Sequence, residues 1–179
     1  MFEVLETPIN GYFEIIPKIM SDLRGDFVKT FHKDEFIKLG LETKFVEQYY
    51  STSVCGVIRG MHFQIPPAEH AKLIYSVSGA VLDVVIDLRK KSPTYLNTHS
   101  VHLSSKAPKL LYVAKGLAHG FCCLTEQATI IYNVTSTYAP EFDKGILWSS
   151  IPVEWPVKNP IVSPRDNSFP LLSNYESPF

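Results

Sequence analysis

At 179 residues, 45% of them apolar, the chain has the length and the material for one domain with its own core. Seventeen basic and eighteen acidic residues nearly cancel, which excludes a broad basic field for nucleic acid and leaves any phosphate to a few placed cations. No run approaches the ~20 apolar residues that cross a bilayer, and MFEVLETPIN lacks the basic region and apolar stretch of a secretory signal, so the expectation is a cytoplasmic protein without membrane partners.

Short runs rich in β-branched and aromatic residues follow one another along the chain. They predict strands at 12–16, 26–31, 44–50, 55–63, 72–78, 80–88, 98–103, 110–114, 119–124 and 128–136. Turn signals separate them: Ser21-Asp22, Pro66-Pro67, Ser78-Gly79, Ser92-Pro93, Ala107-Pro108 and Lys115-Gly116. One helix is expected over 33–40 (KDEFIKLG), with acidic residues in its first turn and Gly40 at its end. After Trp155 the chain becomes rich in proline, serine and asparagine, a tail too short for its own core. The pattern is all-β, a sandwich or barrel, and predicts one domain over 1–179: N-terminal strands and arm at 1–50, a core at 51–148, a covering tail at 149–179. Cys55, Cys122 and Cys123 cannot all pair. Cys122 and Cys123 are neighbours on a strand and point to opposite faces, and all three are read as small buried hydrophobes in a reducing compartment.

Polar residues on these strands are the candidates for chemistry. Alternation over 80–88 puts Val81, Asp83, Val85 and Asp87 on one face and Leu82, Val84, Ile86 and Leu88 on the other. Asp83 therefore needs a partner: either a structural ion pair or a histidine that it orients. His62 ends GVIRGMHFQ, three residues after Arg59 and shortly before Lys72. Strict alternation would put Arg59 and His62 on opposite faces, but Gly60 between them permits a bulge that turns both inward. His119 begins a strand after the Lys115-Gly116 turn. Tyr132 shares a face with Ile130 and Val134, where it is either packing or a working phenol.

The blocks GVIRGMHFQ (56–64), AKLIYSVSGAVLDVVIDLRKKSPTY (71–95), YVAKGLAHGF (112–121), ATIIYNVTSTYAPEFDKGILW (128–148), DLRGDF near residue 24 and SPRDNSFPLL near residue 166 together resemble the dTDP-4-dehydrorhamnose 3,5-epimerase family, in that family's order over nearly the whole chain. The resemblance implies a cupin-type jelly-roll β-barrel, all-β with a short helix and an irregular C-terminal tail. It implies a homodimer in which the N-terminal arm of one subunit reaches the other's site, a nucleotide-diphospho-sugar substrate, and no cofactor. By the same resemblance His62 is the general base, Asp166 pairs with it, Tyr132 is the acid on the opposite face, and Lys72 lies near the developing enolate oxygen. Asp83 and His119 belong to that pocket. Arg59 and Arg24 meet the diphosphate, and Tyr138 lies against the base. Phe27 and Lys29 accompany Arg24 at the nucleotide end, and Glu47 and Tyr49 border the nucleotide-sugar pocket.

The chemistry accounts for such a set. A proton on C3 or C5 of a 4-keto sugar is acidic because its loss gives an enolate, and prearranged cations or donors in a dry pocket lower the barrier. Imidazole is a base suited to neutral pH, a carboxylate on its other nitrogen fixes its tautomer, and inversion needs a second acid across the sugar. The alternatives are an epimerase of one centre on a CDP- or GDP-linked sugar, a cupin that binds a nucleotide sugar without turning it over, and a metal enzyme using Glu69, His70 and His119. The last is disfavoured because the metal-binding H-x-H pair is broken at His62-Phe63-Gln64. Two positions depart from the family: Tyr49 stands where it commonly has asparagine, and Lys29 where many members have glutamate.

Overall fold

A computed structural model describes residues 2–179, and its strands lie in two facing sheets and one separate hairpin. The first sheet runs in the order β1 (Phe2–Glu6), β2 (Tyr12–Pro17), β10 (Leu110–Val113), β7 (Lys72–Ser78), β12 (Gln127–Val134), β5 (Glu47–Val54). The second runs β13 (Asp143–Gly145), β6 (Ile58–Gln64), β11 (Leu117–Cys123), β8 (Ala80–Asp87), β9 (Thr98–Ser104). From β5 onward every connection changes sheet except that between β8 and β9, which gives a jelly roll. β3 (Ile19–Asp22) and β4 (Gly25–Val28) pair only with each other and are largely exposed.

Period-two alternation places one core between the sheets and one on each outer face. Between them pack Ile74, Val81, Val85, Leu111, Phe121 and Ile130 with their neighbours. The outer face of the second sheet (Met61, Phe63, Val84, Ile86, Leu88) is covered by tail residues Val153, Trp155, Leu172, Tyr175 and Phe179. That explains why β8 is apolar on both faces. The outer face of the first sheet is covered by α1 (Lys33–Lys38), whose Phe36 is fully buried. Turns at Gly79 and Gly116, both with positive φ, carry the chain from one sheet to the other, as their sequence signals require.

Several expectations are corrected. The helix stops at Lys38, with Gly40 in the left-handed region just beyond. The strand expected at 44–50 starts at Glu47 and continues to Val54. The one expected at 55–63 starts only at Ile58, after a turn at Gly56. The one expected at 26–31 ends at Val28. The strands β1, β3 and β13 were not anticipated: the first two are at exposed edges, and three residues are too few for a pattern. Cys122 and Cys123 are buried on opposite faces of β11, but Cys55 is exposed, because it lies in the turn rather than on a strand.

Candidate active site

The site forms where β6 and β11 meet. His119 pairs with His62, while Phe121 pairs with Arg59, so three residues of β6 span two of β11. This bulge brings Arg59 and His62 to the same face as His119, the inner face of the second sheet. Gly60 makes it possible: its φ is +150°, and a Cβ there would stand 2.6 Å from the Cα of Gly120. Both glycines are required for the strands to approach.

The bulge frees the Gly60 N–H, which donates to Asp166 Oδ2 at 3.0 Å. Asp166 sits in α2 (Pro164–Asn167), a single turn whose Ser163 side chain accepts from the Asp166 N–H at 3.0 Å, with proline at the first helical position. The other carboxylate oxygen lies 2.9 Å from His62 Nε2, although the ring N–H is not aligned on it. Contacts of this kind commonly tighten only when substrate binds. Burial alone would raise the Asp166 carboxyl; contacts from His62, Gly60 and Ser163 outweigh it and hold the group below the usual carboxylate range. Phe169 packs edge-on against the His62 ring, with centroids 5.8 Å apart.

Lys72 comes from the facing sheet, is only 5% exposed, and donates from Nζ to the His62 carbonyl at 3.1 Å. Burial depresses its ammonium to about 8, and the nearby Asp143 and Asp83 carboxylates only partly offset this. Tyr132, 6% exposed, rises from β12 on the same wall. Its hydroxyl meets Ser51 Oγ at 3.3 Å and its ring stacks on Tyr49, centroids 4.9 Å apart. Burial pushes the Tyr132 phenol well above its ordinary value, with the Ser51 contact opposing. Burial, helped by Glu47 and Asp143, pushes that of Tyr49 up to about 12.

Asp83 is fully buried between two donors. Tyr12 Oη donates to one carboxylate oxygen at 2.9 Å, and His119 Nε2 lies 2.7 Å from the other. Burial lowers the His119 pKa despite the Asp83 charge, and a neutral His119 then carries its proton on the nitrogen facing Asp83. Its ring meets that of Tyr132 edge-on, 6.3 Å between centroids. Asp83 is thus partnered by a hydrogen bond from a neutral histidine whose ring it orients, not by an ion pair.

A cavity of about 320 Å³ opens beside this cluster, lined by His62, Lys72, Tyr49, Glu47, Tyr138 and Asp143 among others. Glu47 accepts from the Tyr138 N–H at 2.8 Å. Arg59 lines a second depression behind His62, bounded by Asp166 and Arg165, and is anchored on Ser53 Oγ at 2.9 Å. The chain does not bring Arg24, Phe27 or Lys29 to this cavity. Arg24 is on the hairpin, 90% exposed, with its guanidinium on Asp22, because the hairpin pairs with neither sheet. Nor does it gather Glu69, His70 and His119: His70 Nδ1 faces the Gln64 amide at 3.2 Å and His119 is engaged by Asp83. Among the described residues no three His, Cys, Asp or Glu side chains could hold a metal.

Sequence reasoning missed Tyr12, Ser51, Gln64, Asp143, Arg165 and Phe169. Gln64, in the same block as His62, ties the end of β6 to the next loop through Ala68 O and to the β12–β13 connection through the Ala139 N–H. Arg165 pairs with Asp143 at 2.6 Å and lies over the Phe169 ring. Adjacency to Asp166 could have flagged Arg165, and the block shared with His62 could have flagged Gln64; the others become visible only in three dimensions.

Comparison with known proteins bears on this geometry. A family model described as dTDP-4-dehydrorhamnose 3,5-epimerase matches residues 6–174. A Shigella flexneri protein of that name is 39% identical over 91% of this chain and 92% of its own length. A Streptomyces niveus protein named dTDP-4-dehydrorhamnose 3-epimerase is 38% identical over 92% of this chain and 81% of its own. A crystal structure of the 3,5-epimerase from Bacillus anthracis, with TDP and PPi bound, superposes with a TM-score of 0.93 at 38% identity, covering 96% of this chain and all of that one.

Proposed function

Because the chain belongs to the dTDP-4-dehydrorhamnose 3,5-epimerase family, we infer that its two facing walls move protons on and off the sugar of a dTDP-linked 4-keto-6-deoxy substrate. It is an isomerase, a nucleotide-sugar epimerase of cupin-like fold. One observation carries the assignment of roles. His62, on the second sheet, is paired with the Asp166 carboxylate of α2, and a buried phenol, Tyr132, and a buried ammonium, Lys72, lie on the first sheet.

His62 removes the proton next to the C4 ketone, and Asp166, already an anion, stabilises the imidazolium that forms. The Lys72 ammonium meets the charge that develops on the enolate oxygen. Tyr132 returns a proton from the other side, which inverts the carbon. The neutral His119, held by Asp83, keeps the phenol in place from beside it. Tyr138, Glu47 and Tyr49 border the nucleotide-sugar cavity, and Arg59 lines the depression behind His62. Residues 1–179 act as one unit, in the cytoplasm, with all three cysteines as free thiols.

The N-terminal hairpin supplies the nucleotide end in the homodimer. Ile19, Met20, Leu23 and Phe27 are exposed on it beside Arg24, an arrangement suited to insertion into a second copy. Arg24, Phe27 and Lys29 of one chain then serve the cavity of the other.

The test is proton NMR in D₂O with dTDP-4-keto-6-deoxyglucose, scoring deuterium and configuration at C3 and C5 separately. The wild type should invert both centres. His62→Ala should slow exchange by ~10²–10⁴-fold, the usual contribution of a placed base. Tyr132→Phe should still exchange deuterium while inversion falls sharply, because the base can return a deuteron from its own side. Exchange and inversion that remain equal and near wild type in a folded Tyr132→Phe would remove the two-wall mechanism. Inversion at C3 alone would place the chain with the 3-epimerase relatives.

A further inference from the structure

We propose that Ser51 is the proton inlet to Tyr132, resupplying the phenol after each inversion. The inference rests on the two-wall reading above and concerns a step that reading leaves open. Every inversion ends with His62 carrying a proton and Tyr132 lacking one, so the walls must be reset before the next event. His62 is part exposed at the cavity and can release its proton to water. Tyr132 is enclosed: Tyr49 covers one face of its ring and His119 meets it from the side.

Among the described residues, the hydrogen-bond partner of the phenol is Ser51 Oγ, at 3.3 Å and with either oxygen able to donate. Ser51 lies on β5, the edge strand of its sheet, remains part exposed, and is flanked by the exposed Tyr50 and Thr52. It therefore stands between a buried phenol and water. A serine hydroxyl can accept one hydrogen bond while donating another, so it can pass a proton without itself ionising. Arg59, anchored on Ser53 Oγ and Thr52 O of the same strand, brings a positive charge that steadies the transient phenolate.

The step balances as follows. The Ser51 O–H bond breaks as its proton moves to the Tyr132 oxygen, and a water molecule protonates the serine oxygen in return. The hydroxide left behind is neutralised by the proton that His62 gives to solvent. No oxidant, reductant or further reactant takes part. Ser51 does not touch the sugar; it acts through Tyr132.

The experiment compares Ser51→Ala, Ser51→Thr and wild type in two regimes, single turnover with enzyme in excess and steady state. In Ser51→Ala the first inversion should run at close to the wild-type rate, because Tyr132 starts protonated. The steady-state kcat should fall by about 10²-fold, the low end of what a placed proton donor contributes. KM should fall with it, because a slowed reset leaves the first inversion, and with it kcat/KM, unchanged. Ser51→Thr, which keeps the hydroxyl, should restore kcat. A wild-type kcat in Ser51→Ala, or a parallel loss in both regimes, would overturn the proposal, the latter showing that Ser51 only positions the ring. Tyr132→Phe separates the two failures. If it abolishes inversion while Ser51→Ala is unaffected, only the inlet fails; if it inverts normally, the two-wall reading fails first.

Discussion

Lys72 shows the conflict between stability and chemistry at a single residue. Its ammonium sits between the sheets where burial lowers its pKa to about 8, so below that pH the fold holds a charge it disfavours. Relative to an ordinary lysine this costs on the order of 3 kcal/mol. The sign follows from proton counting. Between about pH 8 and 10.5 the unfolded chain binds the proton that the folded one has lost, so this group's contribution to stability rises with pH over that window. On the proposed mechanism activity runs the other way, because only the ammonium would stabilise an enolate, and kcat/KM should decline as pH rises through about 8. Lys72→Met should lose turnover yet gain stability at pH 7. The gain is about 3 kcal/mol, less about 1 kcal/mol for the lost bond to the His62 carbonyl, and it should fade above about pH 10. Urea unfolding at pH 7 and pH 10.5 checks it; a variant less stable than wild type at both would show that burial does not penalise this ammonium.

The bulge in β6 turns a strand pattern into a site at the scale of the element. Gly60→Ala puts a Cβ 2.6 Å from Gly120 Cα and into a φ of +150° that alanine resists. It should cost at least about 1–3 kcal/mol and, by removing the bulge, separate Arg59 from His62. Thermal unfolding and the D₂O assay check both effects, and a variant with wild-type melting and exchange would show that the bulge is not needed. The same element marks how far the sequence could be read. Gly60 between Arg59 and His62 announced a bend, and alternation on β8 announced that Asp83 must be partnered, because both follow from a period of two. Which groups answer these needs was hidden. Tyr12 reaches Asp83 across 71 residues and Ser51 reaches Tyr132 across 81, distances over which local pattern carries no information. Edges were hidden as well: β13 has three residues, and Cys55 lies in a turn that the strand pattern ran through.

For the whole molecule, one chain brings His62, Asp166, Lys72 and Tyr132 together and leaves the hairpin with Arg24 apart from them. If the hairpin of one chain serves the cavity of the other, defects in the two parts must complement. Consider His62→Ala and Arg24→Ala, each inactive or weak alone, refolded together as an equal mixture. In the mixed dimer, one cavity has both defects and the other has neither. Half of the dimers are mixed and half of their cavities intact, so the mixture should recover roughly a quarter of wild-type activity per site in a two-fold dimer. If Arg24 served its own chain, every cavity would retain one defect and mixing would restore nothing. Neither variant should unfold the jelly roll, since Arg24 is exposed and the His62 side chain is part exposed at the cavity. Recovery should therefore depend on subunit exchange: it should develop on co-refolding and not on brief mixing of preformed dimers. Immediate recovery on mixing would point to monomers in fast exchange, and none after co-refolding would reject the shared site.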